Sequence, residues 1–151
     1  MTALPAGLLL LDTGIYIRYS RREAYDWLLE DTRIFRRTIL TAVVAAELYA
    51  GTRERGEKTA LDQLCRAHQA LLRFSTPSAF VWSEAGILLR RARSILGEMD
   101  FSRHFRDALI ALEAVHSGAT LLTENTKDFT RWQTLLAKSG QTFKFIRPSL
   151  S

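Results

Sequence analysis

From residue 106 to residue 129 the chain reads RDALIALEAVHSGATLLTENTKDF. Ile110, Ala111 and Ala114 recur at helical spacing, and Gly118 stops the run. Ala119 to Thr123 is a short apolar stretch of the kind that forms a buried strand. Asn125 then stands where a helix cap belongs, ahead of a helix from Thr126 to about Lys138 with Gly140 beyond it. Helix, buried strand and helix in succession point to an α/β domain.

The same grammar extends in both directions. Leu8 to Leu11 is a four-leucine run closed by Asp12-Thr13-Gly14 and reads as a first buried strand. A short helix is expected over Glu23 to Glu30, and a brief strand over Thr38 to Leu40. Thr41 caps a helix to Ala50, with Gly51 after it, and a further helix spans Glu57 to Leu72. Phe74 to Thr76 reads as a connector. Pro77 and Ser78 open a helix whose Trp82, Ala85, Leu89, Ala92 and Leu96 share a face, ended by Gly97. The next helix covers about Arg103 to Ser117, and Thr142 to Ile146 is the last strand. Short apolar strands alternating with helices imply an α/β/α sandwich with a mostly parallel central sheet flanked by helices. Residues 1–151 read as a single domain, with no repeat or linker.

Composition narrows the function classes. Lys and Arg together number 21 against 16 acids, a net charge of +5. Seventeen of the bases are Arg, whose planar fork matches phosphate oxygens in pairs. That suits nucleic acid or an acidic partner, and suits a merely basic protein equally well. Cys65 is the single cysteine, so no internal disulfide and no Cys-rich zinc site can form. It lies with Leu61, Leu64 and His68 in an amphipathic stretch and reads as core. No apolar run is long enough for a membrane span and none resembles a signal peptide, so a cytoplasmic location is expected. His68, His104 and His116 lack metal-ligand spacing; His104 reads as a surface residue and His116 as a helix-end residue.

Four carboxylates fall where bulk solubility does not require them. Asp12 ends the first strand, and ligands of open α/β sheets bind at carboxyl ends of strands; a turn-forming role is an equal reading. Glu47 sits among Val43, Val44 and Leu48 on a helix apolar nearly all round, which favours burial with a partner or a metal over a boundary position with the carboxylate reaching water. Asp107 shares a face with Ile110, Ala111 and Ala114, and is expected in the first turn of its helix, where a favourable charge near the positive helix terminus explains the turn but not the apolar face. Asp128 stands three residues after Asn125, the spacing of a capping arrangement. Parallel strands deliver their carboxyl ends to one edge, so the four could meet there. Clustered carboxylates repel unless a cation neutralises them, and Mg²⁺ or Mn²⁺ takes such oxygen ligands.

With these residues in hand, the sequence resembles the PIN-domain nucleases, and within them the VapC toxins of bacterial toxin–antitoxin pairs. The resemblance rests on LLLDTG around Asp12, TAVVAAELYAG around Glu47, RDALIALEAVHSGATLLTEN from Arg106, and NTKDF from Asn125 to Phe129. It implies a PIN-like fold and an endoribonuclease that hydrolyses phosphodiester bonds with Mg²⁺ or Mn²⁺ at Asp12, Glu47, Asp107 and Asp128. Thr13 and Thr123 would support the site by their hydroxyls, and Asn125 would orient a ligand. A cognate antitoxin, an RNA substrate and a homodimer are the implied partners. The stretch from Gly97 to Arg106 and the tail after Phe129 depart from the family pattern. Arg18, Arg21, Arg22, Arg53, Arg55, Lys127 and Arg131 follow the acid motifs closely and are candidate phosphate contacts, although for any single one a solvated charged face is the stronger reading. Alternatives are a non-catalytic PIN-like module that binds RNA or protein, a DNA-specific nuclease, and an aspartic protease, since D-T-G also occurs there. The last needs a β-rich dimer, which the helical pattern disfavours.

Overall fold

The computed structural model describes residues 3–97 and 100–151. Residues 98 and 99, inside the departing stretch from Gly97 to Arg106, lie outside the described residues, as does the side chain of Leu96. The strands are β1 (Leu9–Leu11), β2 (Thr38–Thr41), β3 (Phe74–Ser75), β4 (Thr120–Leu122) and β5 (Lys144–Ile146). The helices are α1 (Thr13–Ser20), α2 (Asp26–Leu29), α3 (Thr32–Phe35), α4 (Ala42–Ala50), α5 (Arg55–Ala70), α6 (Ala79–Leu96), α7 (Phe101–Ser117) and α8 (Thr126–Lys138). The sheet runs β3-β2-β1-β4-β5 and each pairing is parallel. The expected helix-flanked parallel sheet is present.

Burial explains why the strands read as continuous apolar runs. A parallel sheet is covered on both faces. Leu9, Leu10 and Leu11 of β1 are accordingly all buried, as is each residue of β2 and β4. Leu9 pairs with Thr38 on one side and with Thr120 on the other, which makes β1 the middle of the sheet. One core joins the strands to Ala108, Ile110, Ala111 and Leu112 of α7 and to Phe129, Trp132 and Leu136 of α8. Cys65 is part of it, as expected. No helix among the described residues is long and apolar enough to cross a membrane.

Several expectations need correction. Asp12-Thr13-Gly14 is no loop: Asp12 caps α1, and its carboxylate accepts from the Thr13 N–H at 2.8 Å. Weak amphipathicity hid that helix. The helix expected over Glu23 to Glu30 is only the four-residue α2, and α3 was not expected at all. Phe74-Ser75 is a strand, too short for periodicity to show, held by pairing with Leu40 and Thr41. The tail after Phe129 supplies most of α8 and β5, and its end is tied down by Trp27 Nε1 donating to the Ser149 carbonyl at 3.0 Å. Both elements stand where the sequence led one to expect them.

Helix α7 begins at Phe101, capped by Asp100, and ends at Gly118, whose φ of +70° is the left-handed stop that glycine accepts without strain. Asp107 is therefore the seventh residue of its helix and not in the first turn. The favourable helix-terminus charge drops out as its explanation.

Candidate active site

The chain runs from β1 outward to β2 and β3, then returns to place β4 on the other side of β1. The sheet edge beyond β1 and β4 is thus a switch point of the topology, the place where open parallel sheets bind ligands at their strand ends. Asp12 continues β1 there: its N–H donates to the Leu122 carbonyl of β4 at 3.0 Å. Thr123, just past β4, donates its hydroxyl to Asp12 Oδ2 at 2.7 Å. Helices α4 and α7 bring Glu47 and Asp107 to the same edge, and α8 brings Asp128.

Three of the four acids converge on one side chain, Arg106. Its Nη2 donates to Asp12 Oδ1 at 2.6 Å and to Thr13 Oγ1 at 3.1 Å. Its Nε donates to Glu47 Oε1 and its Nη1 to Asp107 Oδ1. Thr13 Oγ1 also donates to Glu47 Oε1 at 3.0 Å. Asp128 stands beside this group with its own partners: Asn125 Nδ2 at 3.0 Å and Arg103 Nη2 at 2.8 Å, both on Oδ2. Asn125 makes no side-chain cap bond to its helix, so its amide serves Asp128 instead of the expected capping arrangement.

Burial grades the four. The Asp107 side chain is 1% exposed, whereas that of Glu47 is 37% exposed. The burial favoured for Glu47 gives way to the boundary alternative: α4 buries Val44 and Ala45, and Glu47 lies on its half-open flank. Asp107 carries the greater penalty. Burial raises its pKa to about 6; the Arg106 charge opposes this, and Asp12 and Asp128 add to it. Its Oδ2 is buried without a hydrogen-bond partner. Burial also works on Asp128, but the bonds from Asn125 and Arg103 outweigh it and hold its pKa below the usual range. For Arg106 burial disfavours the charge, and Asp12, Glu47 and Asp107 more than restore it.

Arg106 and Arg103 are partners of the candidate site's acids that the sequence reading missed. Arg106 precedes Asp107 directly, yet nothing in the spacing signals that its side chain folds back among the acids. Of the basic residues expected at phosphate, Arg18 is committed to Glu124 at 3.0 Å, with Glu23 nearby. Glu124 was missed as well. It also accepts from the buried Tyr25 at 2.7 Å, and so ties the β4–α8 loop, which holds Thr123 and Asn125, to the body of the protein. Tyr25 holds φ at +72°, a conformation few non-glycine residues adopt, with its N–H on the Leu150 carbonyl. His104 is half-buried against Trp132 and not a surface residue, while His116 pairs with Glu84 at 2.8 Å near the end of α7.

As they stand, the acids surround a guanidinium and not a point in space. Among the described residues no three His, Cys, Asp or Glu side chains form a group ready to hold a metal ion. Two observations nevertheless fit a cation. The position between the acids is already taken by a positive charge. The buried Asp107 Oδ2 lacks the partner that a buried carboxylate oxygen requires. The donor set is all oxygen, as hard divalent ions prefer.

Solved structures place this architecture. One chain of the VapBC2 complex from Rickettsia felis, bound to a DNA fragment from their promoter, matches with a TM-score of 0.63 at 20% identity, covering 94% of this chain and 99% of that one. The fold is PIN-like. A chain of FitAB bound to an IR36 DNA fragment matches at 0.63 and 19% identity, over 93% of this chain and 95% of that one. A chain of VapBC-1 from nontypeable Haemophilus influenzae matches at 0.63 and 17% identity, over 93% and 97%. No protein-family model matches the chain, and no curated protein matches it in sequence.

Proposed function

We propose that the chain is a metal-dependent endoribonuclease of the PIN-domain, VapC-like type, and the toxin of a toxin–antitoxin pair. The observation that carries this is the convergence of Asp12, Glu47 and Asp107 on one cationic group while Asp107 Oδ2 stays unanswered. The PIN-like fold and its likeness to VapBC and FitAB complexes support the same reading.

Asp12, Glu47 and Asp107 would hold Mg²⁺ or Mn²⁺, with Asp128 completing the site. A divalent ion there supplies activation of water near neutral pH and compensation of charge on the phosphodiester. The protein's own part is positioning. The Thr13 N–H and the Thr123 hydroxyl fix both oxygens of Asp12. The Thr13 hydroxyl orients Glu47, and Asn125 orients Asp128. The Arg-rich composition draws the RNA polyanion to the acid site. A cognate antitoxin would cover that site, and a homodimer and a cytoplasmic setting belong to the same reading.

A second reading has a specific observation behind it. Arg106 already neutralises the acids, as a non-catalytic PIN-like binding module would allow. Incubation with single-stranded RNA, with and without Mg²⁺, separates the two. Metal-dependent cleavage that disappears in Asp12→Asn supports the nuclease. RNA left intact at saturating Mg²⁺ and Mn²⁺, or cleaved at the wild-type rate by Asp12→Asn, contradicts it.

A further inference from the structure

We propose that Arg106 is a resident cation of the acid site that must leave when a divalent ion enters, so that one side chain of this protein sets how readily the site loads. The inference rests on the metal-dependent reading above and adds the device that controls it.

The geometry is that of an occupant. Three guanidinium nitrogens each engage a different carboxylate: Nη2 with Asp12, Nε with Glu47 and Nη1 with Asp107. Among the described residues, the one further hydrogen bond of this side chain goes to Thr13, itself a partner of Glu47. Each of these partners therefore belongs to the site, and none would hold Arg106 in place once the acids had another cation. The side chain is 23% exposed, so it has a route to solvent that does not require the core to open.

Charge says why exchange can run in that direction. One positive charge faces three carboxylates, and Asp107 Oδ2 has no donor. A doubly charged ion answers more of that deficit than a guanidinium does. Space says why the two exclude each other. The guanidinium stands between Asp12, Glu47 and Asp107, and among the described residues no three acids are grouped to hold an ion. Loading therefore requires the guanidinium to withdraw and the carboxylates to close on the space it leaves. The apparent affinity for metal is then the intrinsic affinity reduced by the fraction of molecules in which Arg106 is out.

Arginine is suited to this role in a way lysine is not. Its fork can bridge several carboxylates at once, whereas an ammonium is a single point charge. Removing the charge should tighten metal binding most, and replacing the fork by an ammonium should tighten it less.

The test is Mn²⁺ affinity by calorimetry on the intact protein in three variants. Arg106→Gln should bind on the order of tenfold more tightly than wild type, and Arg106→Lys should fall between them. Arg90→Gln, which removes the same charge from an exposed position on α6, should change affinity far less. A second measurement does not depend on a variant that folds. In wild-type protein labelled with ¹⁵N-arginine, the one Nε–H signal held in a salt bridge with Glu47 should move to the position of solvated arginine as Mg²⁺ saturates the site. Wild type and variants that bind Mn²⁺ equally well, or an Arg106 signal unmoved at saturating Mg²⁺, would overturn this inference and leave the metal site standing. Absence of Mn²⁺ binding in all forms would overturn the metal-dependent reading along with it.

Discussion

Helix α7 carries two buried carboxylates, Asp107 and Glu113, and the protein treats them differently. Glu113 lies over the ends of β2 and β3, where the Thr41 hydroxyl donates to Oε1 and the Ser75 hydroxyl to Oε2 at 3.0 Å. Both its oxygens are answered by neutral groups, and among the described residues no cation takes part. Burial raises its pKa, and those two hydroxyls hold it partly back. Asp107, less than two turns earlier, has a guanidinium on one oxygen, nothing on the other, and further carboxylates close by. The contrast separates two uses of a buried acid. A single carboxylate satisfied by hydroxyls ties helix to sheet. Several carboxylates crowded around one cation, with an oxygen to spare, are what the proposed metal site is built on.

The comparison can be broken most sharply through activity. Asp12→Asn, which keeps shape and removes one charge from the crowded cluster, should lower RNA cleavage by about 100-fold or more. Glu113→Gln should leave cleavage within a few-fold of wild type in the same assay. Equal losses in the two variants would mean that the clusters do not differ in kind.

Stability gives the next largest difference. In metal-free protein, Arg106→Gln leaves three carboxylates facing one another without a counter-charge and should cost about 2 kcal/mol or more by urea unfolding. Mn²⁺ should restore more stability to that variant than it adds to wild type. Identical Mn²⁺ stabilisation of both would count against the cluster as a cation site.

Thr123→Val probes the orientation of Asp12 alone, because it removes the hydroxyl on Oδ2 while keeping the side-chain shape. A loss of about 10- to 100-fold in cleavage with the fold intact is expected for a supporting bond of this kind. Wild-type activity in Thr123→Val would show that Asp12 needs no such support.

The smallest effect is a pH dependence. A raised folded-state pKa means that folded Glu113 binds its proton more tightly than the unfolded chain does. Its contribution therefore favours folding at pH below its ordinary value of 4.5 and is lost as pH rises through the raised folded value. Thermal unfolding with chelator present should show the stability difference between Glu113→Gln and wild type shifting in favour of the variant as pH climbs from 4 to 7. A difference flat across that range would remove the burial argument for Glu113.

Much of this arrangement was legible in the sequence, for physical reasons that also mark where legibility stops. Four leucines closed by an aspartate identify β1 because a parallel strand is apolar on both faces. Thr41, Ser78 and Gly118 mark helix ends because caps have residue-specific chemistry, and each stands where it was expected. The four acids, Thr13 and Thr123 fall together because strand ends share one edge. β3 escaped because two residues carry no period, and its pairing with β2 is a tertiary fact. Arg106 escaped for a related reason. A charged residue near a helix start reads as solvated, and only the folded arrangement shows its guanidinium turned inward onto Asp12 and Glu47, distant in sequence. Glu113 was likewise invisible, since Thr41 and Ser75 come to it from separate strands.

The central claim, that Asp12, Glu47 and Asp107 share a divalent cation in exchange for Arg106, is tested most directly by anomalous diffraction from crystals grown with Mn²⁺. The account predicts a manganese peak among those three carboxylates, with the Arg106 side chain turned away from Asp12. A well-ordered Arg106 still bridging the acids at saturating Mn²⁺, with no peak between them, would contradict it.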